Sequence, residues 1–327
     1  MKLRIYTSLA LLSTLLTIKG QSFKVEYSDD LPFTLNLSKE SLKIVQFTDL
    51  HLTYGFDEFD KLTYTLIDNV IKETSPDLIV FTGDQTLSVT APLIYKLFVK
   101  FMEEYNIPWT FVFGNHDNDF HKYNNLLGAI DFEESKNLLF KVGPQLYRGG
   151  VGNFALNYYY EGTPFYNLYF LDSKTEQRSL RRVGVSKYDH FSPAQVGWFQ
   201  NKVLVDKTNN VKSSVFTHVP LIQHRLAMEK EYASFVKGHR GEGVYSQNID
   251  TGFFDAMVES GVSEAIFVGH DHKNSFVFTH EGIKLTYGRI SGYNGYGNLK
   301  RGARIIEIDE TRTLSTYLIY EDLSYEY

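Results

Sequence analysis

The 327-residue sequence contains no cysteine. That absence excludes disulfides as a source of stability and thiolates as metal ligands, so any bound metal must sit on oxygen and nitrogen donors. No linker, internal repeat, low-complexity segment or long polar run interrupts the chain. With 43% hydrophobic and 22% charged residues, it falls outside the disordered class and has the means to bury a sizeable core. An excess of positive charge is also missing. The formal net charge of −6 argues against a general affinity for nucleic acid or anionic membrane. A small phosphorylated ligand is still compatible with it, because a bound metal pair supplies positive charge locally.

Beyond the N-terminus, no apolar run is long enough to span a bilayer. The start of the chain reads as a secretory signal peptide, residues 1–20. Lys2 and Arg4 form a basic opening, an apolar stretch runs from Ile5 to Ile18, and Gly20 precedes a plausible cleavage point. The expectation is a secreted or periplasmic protein whose remaining residues, 21–327, form a single domain. Loss of Lys2, Arg4 and Lys19 with the leader makes that domain more acidic.

Hydrophobic periodicity predicts a buried strand over residues 43–48, ending at Asp49. A helix follows over 58–73, with Leu62, Leu66 and Val70 four apart and Ile67 and Ile71 beside them; Pro76 closes it. A strand over 77–82 ends at Gly83-Asp84. A helix over 92–105 starts on Pro92 and carries a stripe of Leu93, Leu97 and Phe101. A third strand, 109–113, runs into Gly114-Asn115-His116-Asp117. Further on, strands are expected over 166–171, 213–217 and 265–268 and a helix over 248–260. Ser192-Pro193-Ala194-Gln195 has the form of a capping box, and short strands are expected from Ser275 onward. Alternating strands and helices with polar residues at the strands' C-terminal ends describe an α/β fold with its chemistry at those ends.

Five short motifs carry the chemistry: Asp49-Leu50-His51, Gly83-Asp84, Gly114-Asn115-His116-Asp117, Thr217-His218-Val219-Pro220 and Gly269-His270-Asp271-His272. Taken singly, each is an ordinary turn or strand end with an incidental histidine. Five in order at successive strand ends form a pattern that chance explains poorly. Phosphate-ester hydrolysis needs a nucleophilic oxygen at neutral pH, neutralisation of the phosphoryl charge and a proton for the leaving group. Two closely spaced metals serve the first two needs. Imidazoles and an amide oxygen complete their shells without adding so much negative charge that phosphate is repelled.

The ordered set resembles the calcineurin-like metallophosphoesterase superfamily, and the resemblance spans residues 49 to 272. It implies a four-layer α-β-β-α sandwich of two mixed sheets and a phosphomonoesterase or phosphodiesterase with two metal ions. Manganese, iron and zinc all suit such donors. It implies that Asp49, His51 and His272 hold one metal, that Asn115, His218 and His270 hold the second, and that Asp84 bridges them. It further implies a metal-bridging hydroxide as nucleophile, His116 as general acid and Asp117 as the carboxylate that orients His116. The expected partner is a small phosphate ester, with no specific nucleic-acid partner. A nucleotide phosphohydrolase and a lipid-head-group phosphodiesterase are alternatives that use the same site. A non-catalytic binding protein on the same fold is the alternative from another class.

His121, His190, His224, His239 and His280 lie outside the motifs and read as surface or structural, although the glycine-flanked His239-Arg240 loop is a candidate substrate contact. The glycine-rich stretch 287–304 reads as tight turns that also offer Tyr293, Tyr296, Arg289 or Arg301 to a substrate. This stretch resembles the branch of the superfamily related to purple acid phosphatases. Those enzymes place an iron-binding tyrosine three residues after the bridging aspartate and lack the histidine of the first motif. Here the two positions are Leu87 and His51. The purified protein is therefore expected to show no tyrosinate–iron band in its visible spectrum.

Overall fold

The computed structural model describes residues 25–55, 57–175 and 188–327. The segment read as a signal peptide lies outside the described residues. In chain order the strands are β1 (Phe33–Leu37), β2 (Leu42–Phe47), β3 (Leu78–Thr82), β4 (Trp109–Val112), β5 (Phe154–Tyr160), β6 (Thr163–Phe170), β7 (Lys212–Phe216), β8 (Val236–Lys237), β9 (Ser263–Val268), β10 (Val277–His280), β11 (Ile283–Tyr287), β12 (Gly302–Ile308), β13 (Leu314–Tyr320) and β14 (Tyr325–Glu326). The helices are α1 (Glu58–Thr74), α2 (Ala91–Glu103), α3 (Tyr123–Leu127), α4 (Pro193–Asn209) and α5 (Phe253–Ser260). None of the described helices is long and apolar enough to cross a membrane.

Two mixed sheets result. One has the order β14-β13-β12-β2-β3-β4, the other β1-β5-β6-β7-β9-β11-β10-β8. In the first, β2, β3 and β4 are parallel, as β-α-β crossovers require, and β12 returns antiparallel beside β2. In the second, β6, β7, β9 and β11 are parallel neighbours. Helices α1 and α2 pack on the first sheet, α4 and α5 on the second, and the inner faces of both sheets share one core. This is the expected α/β four-layer sandwich.

The inner face of the second sheet is organised by phenylalanines. Phe154, Phe170, Phe216 and Phe267 stand directly opposite one another on β5, β6, β7 and β9. Their rings stack at 4.9, 5.3 and 5.0 Å between centroids. On the helix side of the first sheet, Phe47 stacks on Phe81 at 5.4 Å, and Phe98 of α2 meets Phe81 edge-on at 4.8 Å. Such aromatic contacts add roughly 0.5–1.5 kcal/mol beyond area burial. The sheets are also tied by polar contacts: Gln46 Nε2 donates to Thr82 Oγ1 within its own sheet and to the Val268 carbonyl of the other, at 2.8 and 3.1 Å.

The structure departs from the expected pattern on α2. Leu93 and Leu97 are exposed, and the buried face is Ile94, Tyr95, Phe98, Val99 and Met102. The larger rings of Tyr95 and Phe98 turn toward Phe81, Trp109 and Phe111 and rotate the leucine stripe outward. Leu62 of α1 is exposed as well, whereas Leu66, Ile67, Val70 and Ile71 are buried as expected. The helix expected over 248–260 begins only at Phe253, after Gly252 in the left-handed region. The capping box of α4 forms as read, with Ser192 accepting from Gln195 N and Gln195 accepting from Ser192 N. Phe170→Ala removes one member of the phenylalanine ladder and is expected to cost about 3–5 kcal/mol, measured by denaturant unfolding of the variant against the parent.

Candidate metal centre

All seven residues expected as metal ligands are buried and lie just beyond strand ends. Asp49 and His51 follow β2, Asp84 follows β3, Asn115 follows β4, His218 follows β7, and His270 and His272 follow β9. Backbone bonds join these ends. Asp49 N donates to Gly83 O at 3.1 Å, His51 N to Asp84 O at 2.9 Å and Gly269 N to His218 O at 3.0 Å. Four of these residues hold left-handed backbone: Asp49 (φ 54°), His51 (47°), Asp84 (54°) and His270 (78°). Each such conformation costs on the order of 1–3 kcal/mol, which the surrounding bonds must offset.

Two glycines allow the close approach. A Cβ on Gly83 would stand 2.4 Å from His218 Nδ1, and one on Gly114 would stand 2.1 Å from Asp84 Oδ1. Gly-Asp and Gly-Asn at these strand ends are thus steric requirements of the cluster.

The donors form two groups, Asp49, His51 and His272 in one and Asp84, His218 and His270 in the other; within each, one donor atom per residue lies within 4.8 Å of the rest. In the first, His51 Nε2 is 2.9 Å from His272 Nε2, and Asp49 Oδ1 is 3.4 Å from His272 Nε2. In the second, His218 Nε2 is 3.1 Å from Asn115 Oδ1 and 3.3 Å from Asp84 Oδ2. Asp84 Oδ2 also lies 3.7 Å from His51 Nε2, between the groups. Donors about 2.1 Å from a common ion stand roughly 3.0–3.4 Å apart at octahedral or tetrahedral angles. These spacings fit cation binding.

Tautomers fit as well. His218 Nδ1 is 2.7 Å from the Thr82 carbonyl, and His272 Nδ1 is 3.3 Å from the Tyr296 carbonyl. Donation there leaves both Nε2 lone pairs facing inward, toward other lone pairs. Such a convergence is stable only with positive charge at its centre. Titration behaviour divides the set. Burial holds His51 down at about 4 and His270 at about 3, so both rings are neutral at pH 7. Burial disfavours charge on His218 too, but Asp84 and Asp49 outweigh it and push its pKa up to about 10. Burial likewise opposes ionisation of Asp84, yet His218 and His51 hold its carboxyl well below the usual range.

Asp117 departs from its expected role. Its carboxylate accepts from Gly114 N at 2.7 Å, Asp84 N at 3.0 Å and Thr86 N at 3.1 Å, and so clamps the loops after β3 and β4. It does not orient His116. That contact belongs to Asp119, whose Oδ2 is 2.6 Å from His116 Nδ1. A tight turn brings them together, with Asp119 N donating to His116 O at 3.1 Å. Asp119 lay outside the five motifs; the i, i+3 spacing from His116 was its only signal.

A cavity of about 530 Å³ opens over the cluster, lined by His51, Asp84, His116, His270 and His272. Leu87, at the position of the purple enzymes' tyrosine, also lines it. Its outer wall is Tyr188, Glu242, Tyr245, Asn294 and Tyr296. Of these only Tyr296 was expected; its ring stacks on His272 at 3.9 Å between centroids. The other tail candidates are turned away. Tyr293 bonds Glu321, Arg289 bonds the Lys300 carbonyl and Ser275, and Arg301 bonds the carbonyls of Gly295, Gly297 and Leu299. His239 and Arg240 do not line the cavity either, and Arg240 donates to the Ala227 carbonyl. His121 bonds the Val89 carbonyl, His190 bonds Asn248, and His224 is buried.

Paired clusters of buried imidazoles and carboxylates at the strand ends of a two-sheet sandwich define a metal-dependent hydrolase scaffold. The chain belongs to the calcineurin-like phosphoesterase family, whose model matches residues 42–274. Two curated relatives from Arabidopsis thaliana are similar over most of the chain. Probable inactive purple acid phosphatase 14 is 29% identical over 83% of this chain and 76% of its own. Probable inactive purple acid phosphatase 28 is 29% identical over 91% of this chain and 82% of its own. Among solved structures, a dimetal phosphatase from Danio rerio shares the fold, with a TM-score of 0.53 and 10% identity over 84% of this chain and 98% of that one.

Asp84→Ala removes the carboxylate that faces both donor groups. Elemental analysis of the purified variant is expected to show at least one metal ion fewer per chain than the parent.

Proposed function

We propose that the chain hydrolyses a phosphomonoester or phosphodiester at a centre of two metal ions. The observation that carries this reading is the placement of Asp84 Oδ2, 3.7 Å from His51 Nε2 and 3.3 Å from His218 Nε2. One carboxylate oxygen facing both donor groups suits a bridging ligand. Asp49, His51 and His272 would hold one ion, and Asn115, His218 and His270 the other. Bound ions would neutralise phosphoryl charge and supply a water-derived nucleophile at neutral pH.

The chain's own residues do the rest. The seven donors fix the ions, and their backbone ties keep them from relaxing outward. His116 lines the same cavity and is the general acid for the leaving oxygen. Its Nδ1 is engaged by Asp119, which leaves Nε2 for the substrate. Burial lowers the pKa of His116, but Asp84 and Asp119 outweigh it and raise it above the ordinary histidine value. A larger share of the ring is then protonated at neutral pH, as an acid requires. The tyrosine-rich wall receives the organic part of the ester. The Arabidopsis relatives are named as probably inactive, whereas the complete donor set and the Asp119-supported His116 favour turnover in this chain. The basic and apolar residues 1–20 support export of the protein.

His116→Asn is expected to lower kcat on an aryl phosphate by about 10²–10⁴-fold while the metal content stays that of the parent. Unchanged turnover would remove His116 from the mechanism. Asp119→Asn removes one of the groups that raise the His116 pKa. The protonated ring is then lost at lower pH, so the alkaline limb of the kcat–pH profile is expected to move down in pH.

A further inference from the structure

A second cavity lies away from the metal centre, where β8, β10 and β11 of one sheet meet β12 and β13 of the other. Its volume is about 240 Å³, and it shares no lining residue with the cavity over the metal ligands. Arg304 lines it and is only 2% exposed. All of this side chain's hydrogen bonds go to neutral groups: the Tyr287 carbonyl at 2.7 Å, the Ser275 carbonyl at 2.9 Å and Thr316 Oγ1 at 3.2 Å. A buried guanidinium without a carboxylate partner is costly unless an anion approaches it.

The neighbourhood repeats that sign of charge. Lys237 and Lys284 line the same cavity, and neither has an ion pair among the described residues. Arg289, also buried, lines an adjoining hollow and donates only to the Lys300 carbonyl and Ser275 Oγ. Glu326 is the one acidic side chain lining either hollow; it accepts from the Tyr320 hydroxyl and attracts Arg304 and Arg289 without a hydrogen bond to either. In a chain with a formal net charge of −6, this is a local concentration of cations. Ser275, Thr279 and Thr316 add hydroxyl-bearing side chains to the lining. At roughly 30 Å³ per water, the cavity has room for a tetrahedral oxyanion with several waters.

We propose that this inter-sheet groove is a binding site for a phosphate-sized oxyanion, with Arg304 at its floor and Lys237 and Lys284 at its rim. The site is separate from the metal centre and does not depend on the hydrolytic reading. Arg304 also holds Tyr287, whose hydroxyl donates to Asp271 at 2.5 Å, between His270 and His272. An anion held here therefore contacts the same framework that fixes two of the metal donors.

The test is calorimetric titration of the metal-loaded protein with inorganic phosphate and, separately, with sulfate, each at constant ionic strength. The parent is expected to bind a second equivalent of phosphate besides the one at the metals. In the K237E/K284E variant that second step weakens roughly tenfold or more, with turnover retained. Glu326→Gln shifts affinity the opposite way and tightens the step by about threefold, because a competing negative charge is removed. Sulfate follows phosphate at this step. Absence from the parent of any phosphate-binding step that responds to these substitutions overturns the proposal, whether or not phosphate also binds at the metals. Opposite responses to the lysine and glutamate variants would not arise from a purely structural role of these residues.

Discussion

The structure depends on buried carboxylates and imidazoles held face to face where two sheets meet. Asp84 stands at the centre. Its backbone N–H is held by Asp117, one carboxylate oxygen accepts from His116 N at 2.8 Å, and the other faces both donor groups. Carboxylates and imidazole nitrogens crowded 2.9–3.4 Å apart in a buried cluster repel each other wherever neither a proton nor a cation lies between them. Much of the surrounding architecture resists that repulsion. The phenylalanine ladder under β7 and β9, the Gln46 tie between the sheets and the bond from His218 to the Thr82 carbonyl all pull the strand ends inward.

The candidate metal ligands and the residues that form the cavity wall come from different kinds of structure. Every candidate ligand sits within a few residues of a strand, where the backbone is fixed on both sides. Tyr188, Glu242, Tyr245 and Tyr296 come from connecting segments outside strands and helices. Rigid donors suit chemistry that needs fixed spacing, and loop residues suit selection among esters, since loops vary without disturbing the core.

The sequence made the inner part of this arrangement readable. Asp49, His51, Asp84, Asn115, His218, His270 and His272 carry short, ordered patterns because each must follow a strand end at a fixed offset. The α/β class followed from apolar periodicity, and the two-sheet sandwich from the family resemblance that the motifs carry. Asp119 was hidden because a turn brought it to His116, and Asp117 was misread because adjacency in sequence suggested a contact that the backbone directs elsewhere. Leu93 and Leu97 misled for a related reason. Periodicity finds a stripe, but which of two adjacent stripes is buried depends on the rings it meets, here Phe81 and Trp109. Arg289 and Arg301 have the geometry for phosphate, yet carbonyls of their own tail occupy them.

Two distant donors, His51 and His272, meet at 2.9 Å although they lie 221 positions apart in sequence. A zinc finger gathers its ligands from one short stretch and folds around them locally. Here no fragment that stops before residue 272 contains the whole donor set. During synthesis the donor set is therefore incomplete until β9 and the turn after it have been made, and the long loop it closes carries its entropic cost only once. Binding at the full set thus depends on strands of both sheets rather than on one local stretch of chain.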